Sequence, residues 1–211
     1  MEIFVTGTDT DAGKTYATAW LARKLAAEGK KVVTQKFIQT GCTDSSEDID
    51  AHRRLTGTGH LPEDAEGLTA PVILTYPASA QLAARIDGVE IDLGRIDRAG
   101  EELARRYDVV LVEGAGGLLV PITDDFWAAD YVVTRHLPVA LVTNSRLGSI
   151  NHTLLTLEAI KARGLELKYV LYNTYFDSAS APIAADTRGF IERYVARHFP
   201  EAEMLDVPVM E

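Results

Sequence analysis

In Ile3-Phe4-Val5-Thr6-Gly7-Thr8-Asp9-Thr10-Asp11-Ala12-Gly13-Lys14-Thr15, a short apolar run passes through a glycine-bounded loop into residues of helical period. Over 15–28, Ala17, Trp20, Leu21 and Leu25 fall on one helical stripe, and Gly29 stands where a left-handed C-terminal cap belongs. Strand, loop and helix in that order form the context in which a glycine-and-lysine loop is informative. Backbone N–H groups of such a loop and of the first helical turn converge on a polyphosphate. The helix dipole adds positive potential, Lys14 offers a point charge, and the Thr15 hydroxyl can ligate Mg²⁺. Five residues, 8–12, separate the two glycines where the usual P-loop has four, so this loop is a variant. Asp9 and Asp11 add negative charge where a triphosphate would be repelled. Two readings stand for them: orienting a cationic or hydrogen-bond-donating co-substrate, or ordinary turn and N-cap duty.

The alternation recurs along the chain. Apolar runs at 3–6, 32–35, 109–112, 139–142 and 169–172 are separated by longer stretches of helical period. This is the pattern of βαβ units around a mostly parallel sheet with helices on both faces. Helices are expected over 15–28, 93–107 and 182–198. Another carries Ile150, Leu154, Leu157 and Ile160 on its apolar side and ends before Gly164. Residues 40–75, rich in Thr, Gly, Asp and Ser, read as loop with a short helix near 49–55. No repeat, low-complexity tract or Pro/Ser linker divides the chain, so the expected architecture is one α/β P-loop nucleotide-binding domain over 1–211.

With 211 residues, 46% hydrophobic and 25% charged, the chain can bury a core without disulfide or metal staples, and is neither disordered nor a coiled coil. The formal charge is −10 and no basic cluster is visible, which argues against nucleic acid as a partner. The lone cysteine, Cys42, suits a reducing compartment. The start MEIFVTGTD has no basic segment followed by an apolar stretch and cleavage site, and no apolar run approaches about 18 residues. A cytoplasmic protein without a membrane partner is expected.

Val109-Val110-Leu111-Val112-Glu113 is an apolar strand ending in an acid, followed by Gly114-Ala115-Gly116-Gly117. In a parallel sheet it delivers Glu113 to the C-terminal edge, where the phosphate loop also lies, so the carboxylate can share a magnesium ion with Thr15. The glycines let backbone approach a ligand closely. Mg²⁺ takes one or two carboxylates with waters and phosphate oxygens, which leaves room for one more acid, Asp48 or Asp50. Val32-Val33-Thr34-Gln35-Lys36 places an amine at the same edge, where it could neutralise an anion developing beside the terminal phosphate; base rates alone favour a solvated lysine. Thr40 and Gly41 follow with donors that suit a small oxyanion or a turn. His52, His60, His136, His152 and His198 show no metal-ligand spacing, and no Gly-x-Ser-x-Gly motif is present, so zinc chemistry and hydrolase triads are unsupported.

Residues 5–15, Lys36, Val110-Leu111-Val112-Glu113-Gly114-Ala115-Gly116-Gly117, Leu147-Gly148-Ser149-Ile150-Asn151-His152 and Asn173, taken in this order, resemble the dethiobiotin synthetase family. The likeness runs from residue 3 to about residue 173. It implies a ligase of biotin biosynthesis that uses ATP, Mg²⁺ and CO₂ to close 7,8-diaminopelargonate into the cyclic urea dethiobiotin. In that chemistry an amine adds to CO₂, the carbamate oxygen attacks the γ-phosphate of ATP, and the second amine attacks the mixed anhydride and releases phosphate. Negative charge accumulates between carbamate and phosphate, so each well-placed cation or donor is worth about 2.7–4 kcal/mol of transition-state stabilisation.

The resemblance implies that Asp11, Ala12, Gly13, Lys14, Thr15 and Tyr16 lie on the nucleotide phosphates, with Thr15, Asp50 and Glu113 around magnesium. Asp50 is preferred to Asp48 for the Ala51 that follows it and the helix start. Lys36 is implied as the catalytic cation on the carbamate, with Lys14 as its companion, and Thr40, Asp9, Thr10 and Gly117 as substrate contacts. Gly114, Ala115 and Gly116 are implied along nucleotide and substrate, Asn173 and Thr174 at the adenine, and Pro208, Val209 and Met210 over the base. The family acts as a homodimer with substrate at the subunit interface. Gly148, Ser149, Ile150 and Asn151 at a helix start are implied to hold the carboxylate of the partner's substrate, which suits free N–H groups at a helix N-terminus. The chain departs from the family pattern with Phe37, where proline commonly follows the lysine, and with Thr40, where serine is usual.

Three other readings compete. A deviant-Walker switch ATPase carries a signature lysine five residues before the invariant one, where this chain has Asp9. An amidoligase-type relative normally has further domains, for which 211 residues leave no room. A non-catalytic nucleotide-binding module has no evident use for a strand-end lysine opposite a magnesium site.

Overall fold

The structure is a computed structural model that describes residues 1–175 and 180–210. Strands β1 (Glu2–Gly7), β2 (Val32–Lys36), β3 (Gln39–Thr40), β4 (Ile73–Leu74), β5 (Val109–Gly117), β6 (Pro121–Thr123), β7 (Phe126–Trp127), β8 (Val139–Asn144), β9 (Leu167–Asn173) and β10 (Glu203–Val207) follow one another along the chain. The helices are α1 (Lys14–Ala27), α2 (Glu47–Thr56), α3 (Pro62–Ala65), α4 (Ala80–Asp87), α5 (Leu93–Arg106), α6 (Ala128–Thr134), α7 (Ser149–Ala162) and α8 (Ala181–His198). Six strands form one parallel sheet in the order β10-β9-β8-β1-β5-β2. Alternate residues of its strands feed two cores. Phe4, Val110, Val112, Val139, Leu141 and Val170 pack on one face with residues of α4 to α8. Ile3, Val5, Leu111, Ala140, Val142 and Leu171 pack on the other with Ala17, Leu21 and Leu25 of α1. Burial on both faces is why these strands read as continuous apolar runs rather than as alternating ones.

The expected α/β architecture is borne out, and each of the five expected strands lies within an observed one. The sixth strand, β10, is not legible in the sequence: Met204 and Leu205 are only half-buried and lie between the exposed Glu203 and Asp206, so this edge strand shows no long apolar run. Helices α4 and α6 were also unread. The first buries only Ala80, Ala83 and Ala84, and the second is seven residues containing a Tyr-Val-Val-Thr stretch that favours a strand locally. Within 40–75 the short helix starts at Glu47 rather than 49, and a parallel β3–β4 pair and α3 accompany it.

The register brings chemistry to one edge. Lys36, the last residue of β2, pairs with Glu113 of β5, and Glu113 in turn pairs with Val5 of β1, two residues before the loop. Phe37, the departure from the family's proline, donates its N–H to Glu113 O at 2.8 Å, a bond proline could not make. Its ring is buried edge-on against Phe4, with centroids 5.5 Å apart. No helix among the described residues is long and apolar enough to cross a membrane.

Candidate active site

Beyond Gly7 the chain makes a 3₁₀ turn over Thr10–Ala12 and enters α1 through Gly13, whose φ of 84° lies in the left-handed region that strains other residues. A Cβ on Gly7 would stand 3.0 Å from Asp9 O and 3.1 Å from Ala12 Cβ and Lys14 Cγ. The extra loop residue is therefore accommodated by folding the turn tightly over Gly7. Lys14 is buried and donates from Nζ to Asp9 O at 2.9 Å and Thr10 O at 3.4 Å. Burial lowers its pKa, with the Glu113 charge opposing the shift and Lys36 adding to it.

Behind the loop, five side chains converge. Thr15 Oγ1 lies 2.9 Å from Asp48 Oδ1 and 3.1 Å from Glu113 Oε1. Lys36 Nζ is 2.6 Å from Asp48 Oδ2 and 2.8 Å from Glu113 Oε1, and donates to Gly114 O at 3.3 Å. His52 Nε2 is 2.8 Å from Glu113 Oε2. Burial pushes the Glu113 carboxyl up, but the Lys36 ammonium and the His52 ring bonded to it outweigh burial and hold it well below the usual carboxylate range. A depressed carboxylate contributes stability that is fully present above its ordinary value of 4.5 and is lost as pH falls through the folded value. The melting-temperature gap between wild type and Glu113→Gln is therefore expected to be constant from pH 8 to about pH 5.5 and to shrink below about pH 4.5. A gap that widens on acidification would contradict the assignment.

The acid expected beside Thr15 and Glu113 differs from the one the structure places there. The carboxylate beside Thr15 and Glu113 is Asp48, not Asp50. The two are two residues apart on α2, about 200° around its axis, so they cannot face the same way. Asp50 accepts from Ser45 Oγ at 3.3 Å in an exposed contact. Asp48 and His52, one turn apart, share the face toward Glu113. Ser46 caps the helix by accepting from Ile49 N at 3.2 Å, which fixes this phase.

A cavity of about 700 Å³ opens over the cluster. Of the residues named from the sequence, Thr10, Asp11, Gly13, Lys14, Thr15, Tyr16, Lys36, Thr40, Asp48, Glu113, Ala115 and Gly116 line it. Arg54, Asn144, Arg146 and Tyr175 line it too, without having been read from the sequence. Arg146 forms an ion pair with Asp9, so a cation of the protein meets that loop charge, and Asp9 makes no side-chain capping bond. Buried Asn173 donates from Nδ2 to Ala12 O at 3.3 Å and accepts from Tyr175 N at 3.1 Å. Thr174 N donates to Val207 O at 3.0 Å, and the Tyr16 hydroxyl donates to Pro208 O at 3.3 Å and accepts from Met210 N. The segments expected at the base thus meet beside the loop, where the Tyr16 and Tyr175 rings stack with centroids 4.0 Å apart. Gly148, Ser149, Ile150 and Asn151 stand apart at the start of α7, where Asn144 Oδ1 accepts from Ser149 Oγ at 2.7 Å; they do not line this cavity. Gly117 lines a separate cleft of about 250 Å³ with Leu119 and Leu155.

A parallel sheet whose first strand ends in this loop, with Lys14 and Thr15 opening the helix and a carboxylate on the neighbouring strand, defines a P-loop nucleotide-binding protein. The AAA domain family matches residues 1–208. Over 203 residues the chain is 45% identical to the ATP-dependent dethiobiotin synthetase BioD 2 of Haemophilus ducreyi, covering 96% of each. Over 204 residues it is 47% identical to the ATP-dependent dethiobiotin synthetase BioD of Chlorobaculum tepidum, covering 96% of this chain and 85% of the relative. The chain belongs to the dethiobiotin synthetase family, as the order of its motifs implied. Its fold is shared more distantly with a ParA family ATPase from Chlorobium tepidum, with a TM-score of 0.53 and 17% identity, covering 99% of this chain and 85% of that one. Chloroplast FtsY from Physcomitrella patens gives a TM-score of 0.53 at 18% identity, covering 99% of this chain and 59% of the longer FtsY chain. At those identities the likeness shows the fold alone.

Proposed function

We infer that this protein uses ATP to close 7,8-diaminopelargonate and CO₂ into dethiobiotin, releasing ADP and phosphate, and that residues 1–211 act as one catalytic unit in the cytoplasm. The observation that carries the reading, beside family membership, is the pairing of Lys36 with Glu113 at the sheet edge that also bears the phosphate loop. An amine there is positioned for an anion growing between a carbamate and a terminal phosphate, which is where this reaction accumulates charge.

Thr15, Asp48 and Glu113 bring three oxygen donors to one point beside Lys14, a set that fits a hard cation completing its shell with water and phosphate oxygens. We assign Mg²⁺ to these three residues; when bound it supplies Lewis-acid neutralisation of the phosphates. The backbone donors of residues 11–16 and Lys14 hold the phosphates in line, and Lys36 holds the carbamate oxygen against them. Thr40 and Thr10 orient the diamine. Gly148, Ser149, Ile150 and Asn151 serve the carboxylate of the substrate in a second copy. Leu147, Leu155 and Leu119, at 89%, 63% and 49% exposure, support an apolar contact between copies on that side of the protein.

With ¹³C-bicarbonate, Mg-ATP and 7,8-diaminopelargonate, the purified protein is expected to give a product heavier than unlabelled dethiobiotin by one mass unit per molecule. Labelled carbamate without ring closure, or no incorporation, would overturn the reading.

A further inference from the structure

We propose that His52 is a positioning residue for this reaction, acting through Glu113; the proposal rests on the dethiobiotin synthetase reading. His52 is fully buried, in the middle of α2, where an imidazole is costly unless it is hydrogen-bonded. Its Nε2 is 2.8 Å from Glu113 Oε2, whereas Nδ1 is buried with no hydrogen-bond partner. A bare lone pair costs less than a bare N–H, so the tautomer that fits carries its proton on Nε2 and donates to the carboxylate. The two oxygens of Glu113 are then committed separately, Oε2 to His52 and Oε1 to Lys36 and Thr15. Rotation of the carboxylate is fixed, and one oxygen alone is turned toward the reaction site.

Helix α2 is itself held in register. Arg53 is buried and donates to both carboxylate oxygens of Asp64, at 2.9 and 2.7 Å, and to Thr34 Oγ1 of β2 at 2.9 Å. That anchor places His52 against Glu113 and, one turn earlier, Asp48 against Lys36, two residues that pair across β5 and β2. One helix thereby orients both acids of the cluster, Asp48 directly and Glu113 through the ring.

The test compares His52→Gln, whose amide nitrogen reaches the position of Nε2, with His52→Asn, which is too short, and His52→Leu, which has no donor. Loss of a partner that orients a ligand carboxylate typically costs 10–100-fold, so the Asn and Leu variants are expected to lose about that much kcat, with KM for ATP and diamine within about two-fold. Mn²⁺ affinity of the enzyme–ADP complex, read by electron paramagnetic resonance, is expected to weaken by a similar factor, and the Gln variant to recover both to within about three-fold. If Leu does not fold, the contrast between Gln and Asn carries the test. Wild-type kcat and Mn²⁺ affinity in Asn, with only a lower melting temperature, would mean a structural role and overturn the proposal. Failure of the wild type itself to make dethiobiotin would instead sink the functional reading, and the Mn²⁺ measurement would still decide whether His52 orients Glu113.

Discussion

Lys36→Met is expected to lower kcat by about 10²–10³-fold while leaving KM for ATP within about two-fold, because the ammonium is needed for charge that develops in the transition state. Lys36 is nearly fully buried between Asp48 and Glu113. Burial acts to lower its pKa, but the charges of Glu113 and Asp48 outweigh burial and raise it. A raised amine contributes stability that is fully present below its ordinary value of 10.5 and is lost as pH rises through the folded value, so Lys36 stays a cation across the neutral range. Removing it leaves two acids facing each other without a cation, and the variant should melt at lower temperature than wild type. Added Mg-ADP should restore more of the melting temperature in the variant than it adds to wild type, since the metal replaces the missing charge. Steady-state kinetics at saturating diamine decide the matter: an unchanged kcat would remove Lys36 from the chemistry.

Asp48→Asn is expected to lower kcat/KM by about 10²-fold at limiting Mg²⁺, with partial recovery as Mg²⁺ is raised, whereas Asp50→Asn should stay within about two-fold of wild type. Asp48 touches both Thr15 and Lys36, so its loss removes one oxygen donor and half of the charge that holds the amine. Asp50 makes an exposed contact to Ser45, on the side of α2 turned away from Asp48. A Mg²⁺ titration of both variants separates the alternatives, and the reverse pattern would return the ligand role to Asp50.

The difference between those two acids shows where sequence reading stops. The central strands were legible because residues such as Val110, Leu111 and Val112 are buried on alternate faces with no polar interruption. The phosphate loop was legible because Gly7, Gly13, Lys14 and Thr15 sit between a strand and a helix, and Lys36 and Glu113 because each follows an apolar strand run, although β5 continues past Glu113 to Gly117. Choosing between Asp48 and Asp50 required the phase of α2, and the helix begins at Glu47, two residues earlier than its composition indicates. With a start at 49, Asp48 falls outside the helix and its direction is undefined, whereas the start at Glu47 puts it on the helix about 200° from Asp50. His52 is not legible from metal-ligand spacing, because its partner is a single carboxylate 61 positions away in the chain. A signal existed in the spacing of Asp48 and His52, one helical turn apart. Arg146 and Tyr175 come from distant strand ends, and nothing local in the sequence announces their approach to Asp9 and Tyr16.

The most direct measurement is ADP release from purified protein with Mg-ATP and bicarbonate, with and without 7,8-diaminopelargonate, beside quantitation of dethiobiotin. The site described here predicts ADP formation that depends on the diamine, with dethiobiotin formed in equal amount. Diamine-independent turnover, or none, would contradict it.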